Sequence, residues 1–175
     1  MEPAVLQDRE LVLSALSLQD AAAHLAGEDA ELVRWLNGGV GTSVTVEAFI
    51  RRSLQHWERG GPILAFGIRE DSVLAGTLEI QFEQAGLPEH AVNISYGLYP
   101  GFRGRGLASR AVCLACAYAG RLGATTAIIK VEPENLASLA VAVRSGFAEF
   151  DRLTEDGGTE LVLFQKILGS AEPKQ

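Results

Sequence analysis

A strand, a glycine-rich turn and a long helix follow one another without a break between residues 91 and 123. Apolar and polar side chains alternate in the segment AVNISYGLYP, as in a strand with one buried face. The turn FRGRG comes next, and the alanine-rich segment LASRAVCLACAYAGRLG then predicts a helix of about four turns that ends at Gly123. This order places the first turn of a helix, with its unpaired backbone N–H groups, directly after the end of a strand.

The glycine-rich turn predicts an anion site. Unpaired N–H groups and the helix dipole attract negative charge, and Gly104 and Gly106 let a ligand approach the backbone closely. Arg103 and Arg105 add charge-assisted contacts, so a pyrophosphate group is the expected ligand. The pattern lacks the third glycine of a dinucleotide-binding fingerprint and the Gly-Lys-Ser/Thr of a P-loop. A tight turn with solvated arginines is the alternative.

The segment before this unit predicts one strand followed by helices. Alternation predicts a strand from Leu11 to Leu16, and Ser17 and Asp20 form an N-cap pair for the next helix. Apolar residues at helical spacing continue to residue 59, with Thr45 as the expected cap of the last helix. Three strands joined by short links, an antiparallel meander, then follow at residues 62–70, 72–83 and 91–100.

Beyond the long helix, the chain predicts a parallel crossover and a hairpin. An apolar strand at residues 124–132 is separated from the meander by that helix, which favours parallel pairing. Another helix covers 133–146, and two strands joined by the turn TEDGG form a C-terminal hairpin. No repeat or linker interrupts the pattern, so residues 1–175 are expected to form one mixed α/β domain, with a frayed tail at 169–175.

Composition narrows the functions that this domain can have. The chain has 175 residues, 47% of them apolar, and a net charge of −7. We therefore expect a folded core and no binding of nucleic acid, which needs a basic surface. No apolar stretch is long enough to span a membrane and the first residues lack a secretory pattern, so a cytoplasmic protein is expected. Cys113 and Cys116 have no second Cys/His pair, which favours two small buried residues over a metal or redox site.

Two segments of the sequence resemble those of the GNAT superfamily of N-acetyltransferases. Arg103–Ala108 matches the superfamily signature R/Q-x-x-G-x-G/A, and it stands between the meander and the long helix. The segment IIKVEPENLASLAVAVRSGF resembles the second acetyl-CoA segment, a strand followed by N-x-x-S on a helix and a strand that begins with Gly-Phe. The first helices and the meander look most like the ribosomal-protein N-terminal acetyltransferase (RimJ/RimL-like) branch.

The resemblance implies a fold, a cofactor and a set of contacts. The fold is α/β, with the antiparallel meander splayed near Leu98 from a parallel C-terminal half and with helices on both faces of the sheet. The cofactor is acetyl-CoA, and Leu98 offers its backbone to the pantetheine arm and its N–H to the thioester carbonyl. Asn135 contacts the pantetheine, although Asn135 and Ser138 also form a helix-cap pair. The backbone amides that hold the pyrophosphate come from Arg103, Gly104, Arg105, Gly106, Leu107 and Ala108.

Direct attack of a neutral primary amine on the thioester requires a base and a partner for the leaving sulfur. Ser138 is the candidate for the sulfur, because it shares a helical face with Asn135. Tyr118 is a weaker candidate, since its position in the long helix indicates core packing, and Tyr99 is expected at the mouth of the cofactor site.

Glu79 is the candidate base, because it lies on the polar face of the second meander strand. The alternative for Glu79 is a solvated surface glutamate, which is the commoner state of this residue type. His56 and His90 are expected to be structural or solvated. A chain of water molecules is another route for the proton.

The helices after the first strand and the loop QFEQAGLPEH are expected to select the amine. Glu83, Glu89 and the net charge of −7 suit a cationic amine, either a protein N-terminus or a small molecule such as an antibiotic. The alternative function is a domain of the same fold that binds acyl-CoA as a sensor, since the third meander strand has no carboxylate. A homodimer is compatible with either function.

Overall fold

The computed structural model describes residues 1–155 and 157–169; Asp156 in the predicted hairpin turn and residues 170–175 of the predicted frayed tail lie outside them. The described strands are β1 Leu6–Asp8, β2 Leu11–Ala15, β3 Ile63–Glu70, β4 Val73–Gln81, β5 Ala91–Leu98, β6 Thr126–Val131, β7 Ala148–Thr154 and β8 Glu160–Ile167. The α-helices are α1 Ala21–Gly27, α2 Ala30–Leu32, α3 Ser43–Arg59, α4 Leu107–Arg121 and α5 Leu136–Arg144. α2 continues into a π-helical turn, Val33–Asn37, and short 3-10 turns occupy Leu18–Asp20 and Pro100–Phe102.

The strands form one sheet in the order β1-β2-β3-β4-β5-β6-β8-β7. Neighbouring strands are antiparallel except for β5 and β6, which are parallel because α4 carries the chain back along the sheet. The mixed α/β sheet and its meander are confirmed, but the parallel part is smaller than the predicted parallel C-terminal half. β8, the return strand of the hairpin, lies between β6 and β7 and runs antiparallel to both.

The predicted splay of the sheet is confirmed and begins earlier than expected. β5 and β6 pair only through Ala91↔Thr126, Val92↔Ala127 and Asn93↔Ile128. After Asn93 the two strands separate, well before Leu98. The opening therefore exposes the whole C-terminal half of β5 along its edge.

α4 covers one face of the sheet. Its sheet-facing alanines, Ala111, Ala115 and Ala119, are 0% exposed, so the helix backbone lies close to the strands. Cys116 is buried on this helix as predicted, whereas Cys113 is exposed, and both are free thiols. The prediction for Cys113 is wrong because its position points away from the sheet.

α1 and α3 pack on the opposite face, where Ile50 and Val46 contact a second core with Leu16 and Leu32. Helices on both faces are thus confirmed. The N-cap of α3 is Thr42, so the predicted cap Thr45 is instead the third residue of the helix. The Thr42 amide donates a hydrogen bond to Thr45 Oγ1 at 2.8 Å. No helix among the described residues is both long enough and apolar enough to cross a membrane.

Candidate active site

A cavity of about 470 Å³ lies where β5 and β6 separate. It is bounded by the start of α4 and by α5 on one face of the sheet, and by α2 with its π-helical turn on the other. The predicted site residues that line it are Leu98, Arg103, Gly104, Gly106, Ala108, Asn135 and Ser138. Arg105, Leu107 and Glu79, which are also described, are outside this lining.

The glycine turn presents bare backbone amides to the cavity. Gly104 and Gly106 have φ angles of +73° and +77°, and the space next to their α-carbons is open. Gly106 is the N-cap of α4 and has no side chain to cap the helix. No described side chain accepts a hydrogen bond from the amides of Leu107, Ala108 or Ser109. These donors and the helix dipole give one end of the cavity a positive potential, which favours a negatively charged group.

The two arginines of the turn bind carboxylates of the protein itself. Arg103 donates to both carboxylate oxygens of Asp29, at 2.7 and 2.9 Å, and to Glu31 at 2.8 Å. Arg105 donates to Glu70 at 2.7 Å. The Arg103 guanidinium lowers the pKa of Asp29 to about 2. In this arrangement the guanidinium groups of the turn are paired with carboxylates of the protein, whereas the first amides of α4 are not paired with a side chain.

The backbone of Leu98 faces the opening between the strands. The amide of Tyr99 donates to the carbonyl of Ala75 on the β4 side, at 2.8 Å. Because successive residues of a strand direct their polar groups to opposite edges, the groups of Leu98 point away from β4. Arg103 Nε donates to the Leu98 carbonyl at 2.9 Å, and no described residue accepts a hydrogen bond from the Leu98 N–H.

Ser138 on α5 meets Tyr96 on β5 across the cavity. The two hydroxyl oxygens are 3.0 Å apart, and the tyrosine hydroxyl lies 3.3 Å from the Ser138 carbonyl. Burial raises the pKa of Tyr96 to about 12, so it keeps its proton in neutral solution. The alternation in the segment AVNISYGLYP places Tyr96 on the apolar face of its strand and indicates no further role for it. The signal that could have identified it is that a tyrosine hydroxyl on a buried face needs a polar partner.

Asn135 caps α5. Its Oδ1 accepts a hydrogen bond from the Ser138 amide at 3.0 Å, and both residues line the cavity. The cap alternative is therefore realised. It is compatible with a ligand role, because the cap uses the carbonyl oxygen and leaves the side-chain NH2 group as a donor.

Glu79 lies one strand away from the cavity. It stands opposite Ser95 in the β4–β5 ladder, and Ser95 lines the cavity. Gln81 Nε2 donates to Glu79 Oε2 at 2.9 Å. The half-buried Glu79 is thus neither a freely solvated glutamate nor a residue of the cavity wall.

The other residues considered from the sequence lie elsewhere. Tyr99 is on the α1 side of the sheet, where its hydroxyl is 2.7 Å from His24 Nδ1, so the expected place at the cofactor mouth is wrong. It faces away because the alternation along β5 continues through it. Tyr118 packs against Trp57 and Phe66 in the core, as predicted.

The α2 side of the cavity is mainly apolar. Leu32 and Leu36 lie so close to Gly97 that a side chain at Gly97 would collide with them. Trp35 also lines this side, together with the charged residues Glu31 and Lys130. Glu83 and Glu89 of the predicted acceptor loop are exposed and are not part of the lining.

Several solved structures share this fold. RimL, a ribosomal alpha-N-protein acetyltransferase in complex with coenzyme A, has a TM-score of 0.82 and 21% identity, over 94% of this chain and 98% of its own. An acetyltransferase from Salmonella typhimurium that modifies the N-terminal serine of a 50S ribosomal subunit protein has a TM-score of 0.83 and 20% identity, over 95% of this chain and 100% of its own. MccE, the microcin C7 self-immunity acetyltransferase with acetyl-CoA and AMP, has a TM-score of 0.79 and 20% identity, over 91% and 93%.

A sequence search among curated proteins finds no match. The profile of the acetyltransferase (GNAT) domain, in contrast, matches residues 10–148, which include the meander, the glycine turn and α5. The resemblance seen in the sequence and the splayed sheet seen in the structure agree with this match. The chain belongs to the acetyltransferase (GNAT) family.

Proposed function

We propose that this cavity transfers an acetyl group from acetyl-CoA to the N-terminal amine of a protein or peptide. Membership of the family makes the chain an acetyl-CoA-dependent N-acetyltransferase; the roles of individual residues and the acceptor are the proposal. One observation supports it most: the opening between β5 and β6 joins the bare amides of α4 to the Ser138–Tyr96 pair. A diphosphate at one end and a thioester at the other match the two ends of that opening.

The residues present fit acetyl-CoA. The glycine turn has positive φ angles and open space where a phosphate would approach. The backbone amides from Gly104 to Ala108 hold the diphosphate, with Leu107 also packing α4 onto the sheet. The Arg103 amide, which was also expected to do so, donates instead to the Pro100 carbonyl at 3.4 Å. Leu98 and Asn135 offer polar groups along the path of the pantetheine arm. Acetyl-CoA supplies an activated acyl group. The protein needs to position that group, to accept a proton from the amine and to stabilise the leaving sulfur.

Leu98, Glu79 and Ser138 have separate roles in the transfer. The Leu98 N–H donates to the carbonyl oxygen on which negative charge develops. Glu79 accepts the proton that the attacking amine loses, directly or through water. Ser138, with its hydroxyl next to that of Tyr96, hydrogen-bonds the sulfur as the carbon–sulfur bond breaks.

An α-amine is the acceptor that this site suits best. An α-amino group has a pKa of about 7.7–8.0, against about 10.4 for a lysine side chain, so a larger fraction is neutral at pH 7. The two relatives that act on ribosomal proteins, RimL and the Salmonella enzyme, support the same class of acceptor.

A second function is supported by the position of Glu79 outside the cavity lining. A domain of this fold could bind acyl-CoA as a sensor without transferring the acyl group. A coenzyme A release assay with a panel of peptide and small-molecule amines, run beside calorimetry with acetyl-CoA, separates the two. We expect binding and release; tight binding without release for every amine would support the sensor.

The remaining proposals concern the protein as a whole. We propose that residues 1–175 form one acetyltransferase domain, since a single continuous sheet runs through the described chain. A cytoplasmic location is supported by the two free thiols, which are typical of a reducing compartment. Light scattering coupled to size-exclusion chromatography measures the molar mass in solution and so tests for a homodimer.

A further inference from the structure

Lys130 is a cation of the cavity wall that has no anionic partner in the described chain. It lies on β6, is half-buried and lines the cavity. The ion pairs of the described residues join arginines or a histidine to carboxylates, and Lys130 takes part in none of them. Its neighbour in the β6–β8 ladder is the apolar Leu163. Because a partly buried charge is costly unless it is paired, Lys130 is suited to bind an anion that enters the cavity.

Lys130 lies on the face of the sheet that carries α2. Asn93 on β5 pairs with Ile128 on β6, so Lys130, two residues further along, lies on the same face as Ser95. This is the face on which α2 and its π-helical turn cover Gly97. In the proposed function α4 and α5 hold the cofactor on the other face, so the acceptor approaches on this one, which we call the acceptor face. Since Gly97 is covered, the splayed strands are accessible there mainly between Ser95 and Lys130, which both line the cavity.

The other cations of the cavity wall are not available to an acceptor. Arg103 donates to Asp29 at 2.7 Å and to Glu31 at 2.8 Å. Arg144 is the last residue of α5 and therefore belongs to the opposite face of the sheet. Among the described residues that line the cavity, Lys130 is thus the unpaired cation of the acceptor face.

The charges on the β6 side of the cavity follow a fixed order. Counted from the last pair between β5 and β6, Lys130 stands at the level of Ser95, three residues or about 10 Å before Leu98. Glu132 also lines the cavity, and its position just after the end of β6 brings it nearer to the level of Leu98. A positive charge is therefore followed by a negative one in the direction of Leu98, whose N–H contacts the thioester in the proposed function.

We propose that Lys130 binds a carboxylate of the acceptor, so that the site selects an N-terminus followed by an acidic residue in the second or third position. The inference rests on the proposed function and adds to it the class of acceptor sequence. The order of the charges matches such an acceptor, because its α-ammonium group lies towards Glu132 and its carboxylate lies towards Lys130.

The spacing of the two groups fits as well. In an extended peptide the second and third Cα atoms lie about 4 and 7 Å from the first. Together with the length of an acidic side chain, this covers the distance of about 10 Å between the levels of Leu98 and Lys130. The ammonium group of a lysine stands on a flexible stem and has three donors, so it can bind a carboxylate from either position.

The test measures coenzyme A release by the full chain with saturating acetyl-CoA and the peptides SEEAY, SQQAY and SKKAY. Each peptide has a C-terminal amide, so that its second and third residues alone set the side-chain charge. The KM is expected to be about tenfold lower for SEEAY than for SQQAY, because a charge-assisted hydrogen bond replaces a neutral one. SKKAY is expected to have the highest KM. Equal KM values, or a preference for SKKAY, would overturn the proposal and leave the proposed function intact.

Variants of Lys130 assign the preference to this residue. Lys130→Met removes the charge and should abolish the preference for SEEAY over SQQAY, whereas Lys130→Glu should favour SKKAY. Lys166→Met is the matched control, since Lys166 donates to the Ser145 carbonyl at 2.7 Å and is not part of the cavity lining. It should keep the wild-type preference. A preference for SEEAY that survives in Lys130→Met contradicts the role of Lys130.

A binding measurement separates this proposal from the proposed function. Calorimetry follows the same peptides as they bind to protein saturated with coenzyme A, which cannot transfer an acetyl group. A protein that binds acetyl-CoA and releases no coenzyme A with any peptide contradicts the proposed function. Tighter binding of SEEAY than of SQQAY would then still support the site at Lys130, and equal or absent binding would overturn it.

Discussion

At the residue scale, the two glycines of the turn combine an unusual backbone with open space. Both have positive φ angles, a conformation that side chains with a β-carbon rarely adopt. No heavy atom lies within 4 Å of the position that a β-carbon would take, so neither glycine is needed to avoid a contact inside the protein. Glycine is therefore needed for two other reasons: the positive φ angle of the backbone, and the close approach of a ligand to it.

Replacing Gly106 by valine should weaken the binding of acetyl-CoA about tenfold or more, because the branched side chain strains the turn and covers the first amides of α4. Calorimetric titration measures the dissociation constant. Gly158→Val is the matched control, since Gly158 also has a positive φ, +84°, with open space around it, but lies in the hairpin between β7 and β8. Equal affinities in the two variants would contradict the role of the turn.

Tyr96 and Ser138 should act on turnover rather than on binding. Tyr96→Phe removes the hydroxyl that lies 3.0 Å from Ser138, so kcat is expected to fall about tenfold with the KM for acetyl-CoA nearly unchanged. Ser138→Ala combined with Tyr96→Phe should cost little more than either change alone, because both remove one unit. Tyr118→Phe, in the core, is the control. A raised KM with normal kcat would instead indicate that Tyr96 only supports the cavity wall.

At the element scale, α2 is tied to the glycine turn. Asp29 caps α2 through its Oδ1, which accepts from the Leu32 amide at 3.0 Å, and the same carboxylate binds Arg103. Arg103 also holds the carbonyl of Leu98. One guanidinium therefore joins the segment on the α2 side of the cavity to the end of β5, so the two sides of the cavity are not independent.

The stability provided by Asp29 should depend on pH. Its pKa is lowered to about 2 in the folded protein, chiefly by its hydrogen bonds from Arg103, against about 3.9 when unfolded. The stabilisation is complete above the unfolded value and is lost as pH falls through the folded one. Asp29→Asn, which can still cap α2, should lower Tm at pH 6, and the difference from wild type should shrink between about pH 4 and pH 2.

The pH profile of Tm is measured for wild type, for Asp29→Asn and for Glu47→Gln. Glu47 pairs with Arg51 on the exposed surface of α3, with side chains 49% and 60% exposed, and such pairs contribute little to stability. Glu47→Gln should therefore follow the wild-type curve. A difference for Asp29→Asn that stays constant down to pH 2 would rule out the ion pair as its cause.

At the scale of the whole molecule, the sheet is continuous but weakly joined in the middle. Only three residue pairs connect β5 to β6, while β3 and β4 pair along nearly their full length. A ligand that binds in the opening should hold the two halves together. Acetyl-CoA at 100 times its dissociation constant should stabilise the folded protein by about 2.7 kcal/mol, since it binds the folded state alone.

Thermal unfolding with acetyl-CoA, ATP and NAD checks this expectation. Acetyl-CoA should raise the Tm of the wild-type protein. The rise should be much smaller in Gly106→Val, in which the valine side chain covers the first amides of α4. ATP carries a triphosphate and NAD a diphosphate, but neither has the pantetheine arm, so they should raise Tm less. Equal protection by all three would indicate a general phosphate site.

Local patterns were enough to predict most elements, because alternation and helical spacing are properties of short segments. The strands of the meander, α4 with its stop at Gly123, and α5 with its Asn135 cap were predicted in this way. β1 was missed because three residues are too few to show a period. The place of β8 beside β6 and the meeting of Tyr96 with Ser138 depend on contacts distant in sequence, which no local pattern contains.

The early separation of β5 from β6 leaves the backbone of one strand edge without a neighbour along Ile94–Leu98. The pantetheine arm of the cosubstrate contains two amide groups, so it is expected to hydrogen-bond part of this edge, where the Leu98 carbonyl already accepts from Arg103 Nε. Amide hydrogens along this edge would then exchange with solvent deuterium rapidly in the empty enzyme and slowly once it is loaded. Binding of the cosubstrate would thus supply hydrogen bonds that the sheet itself does not make along this edge of β5.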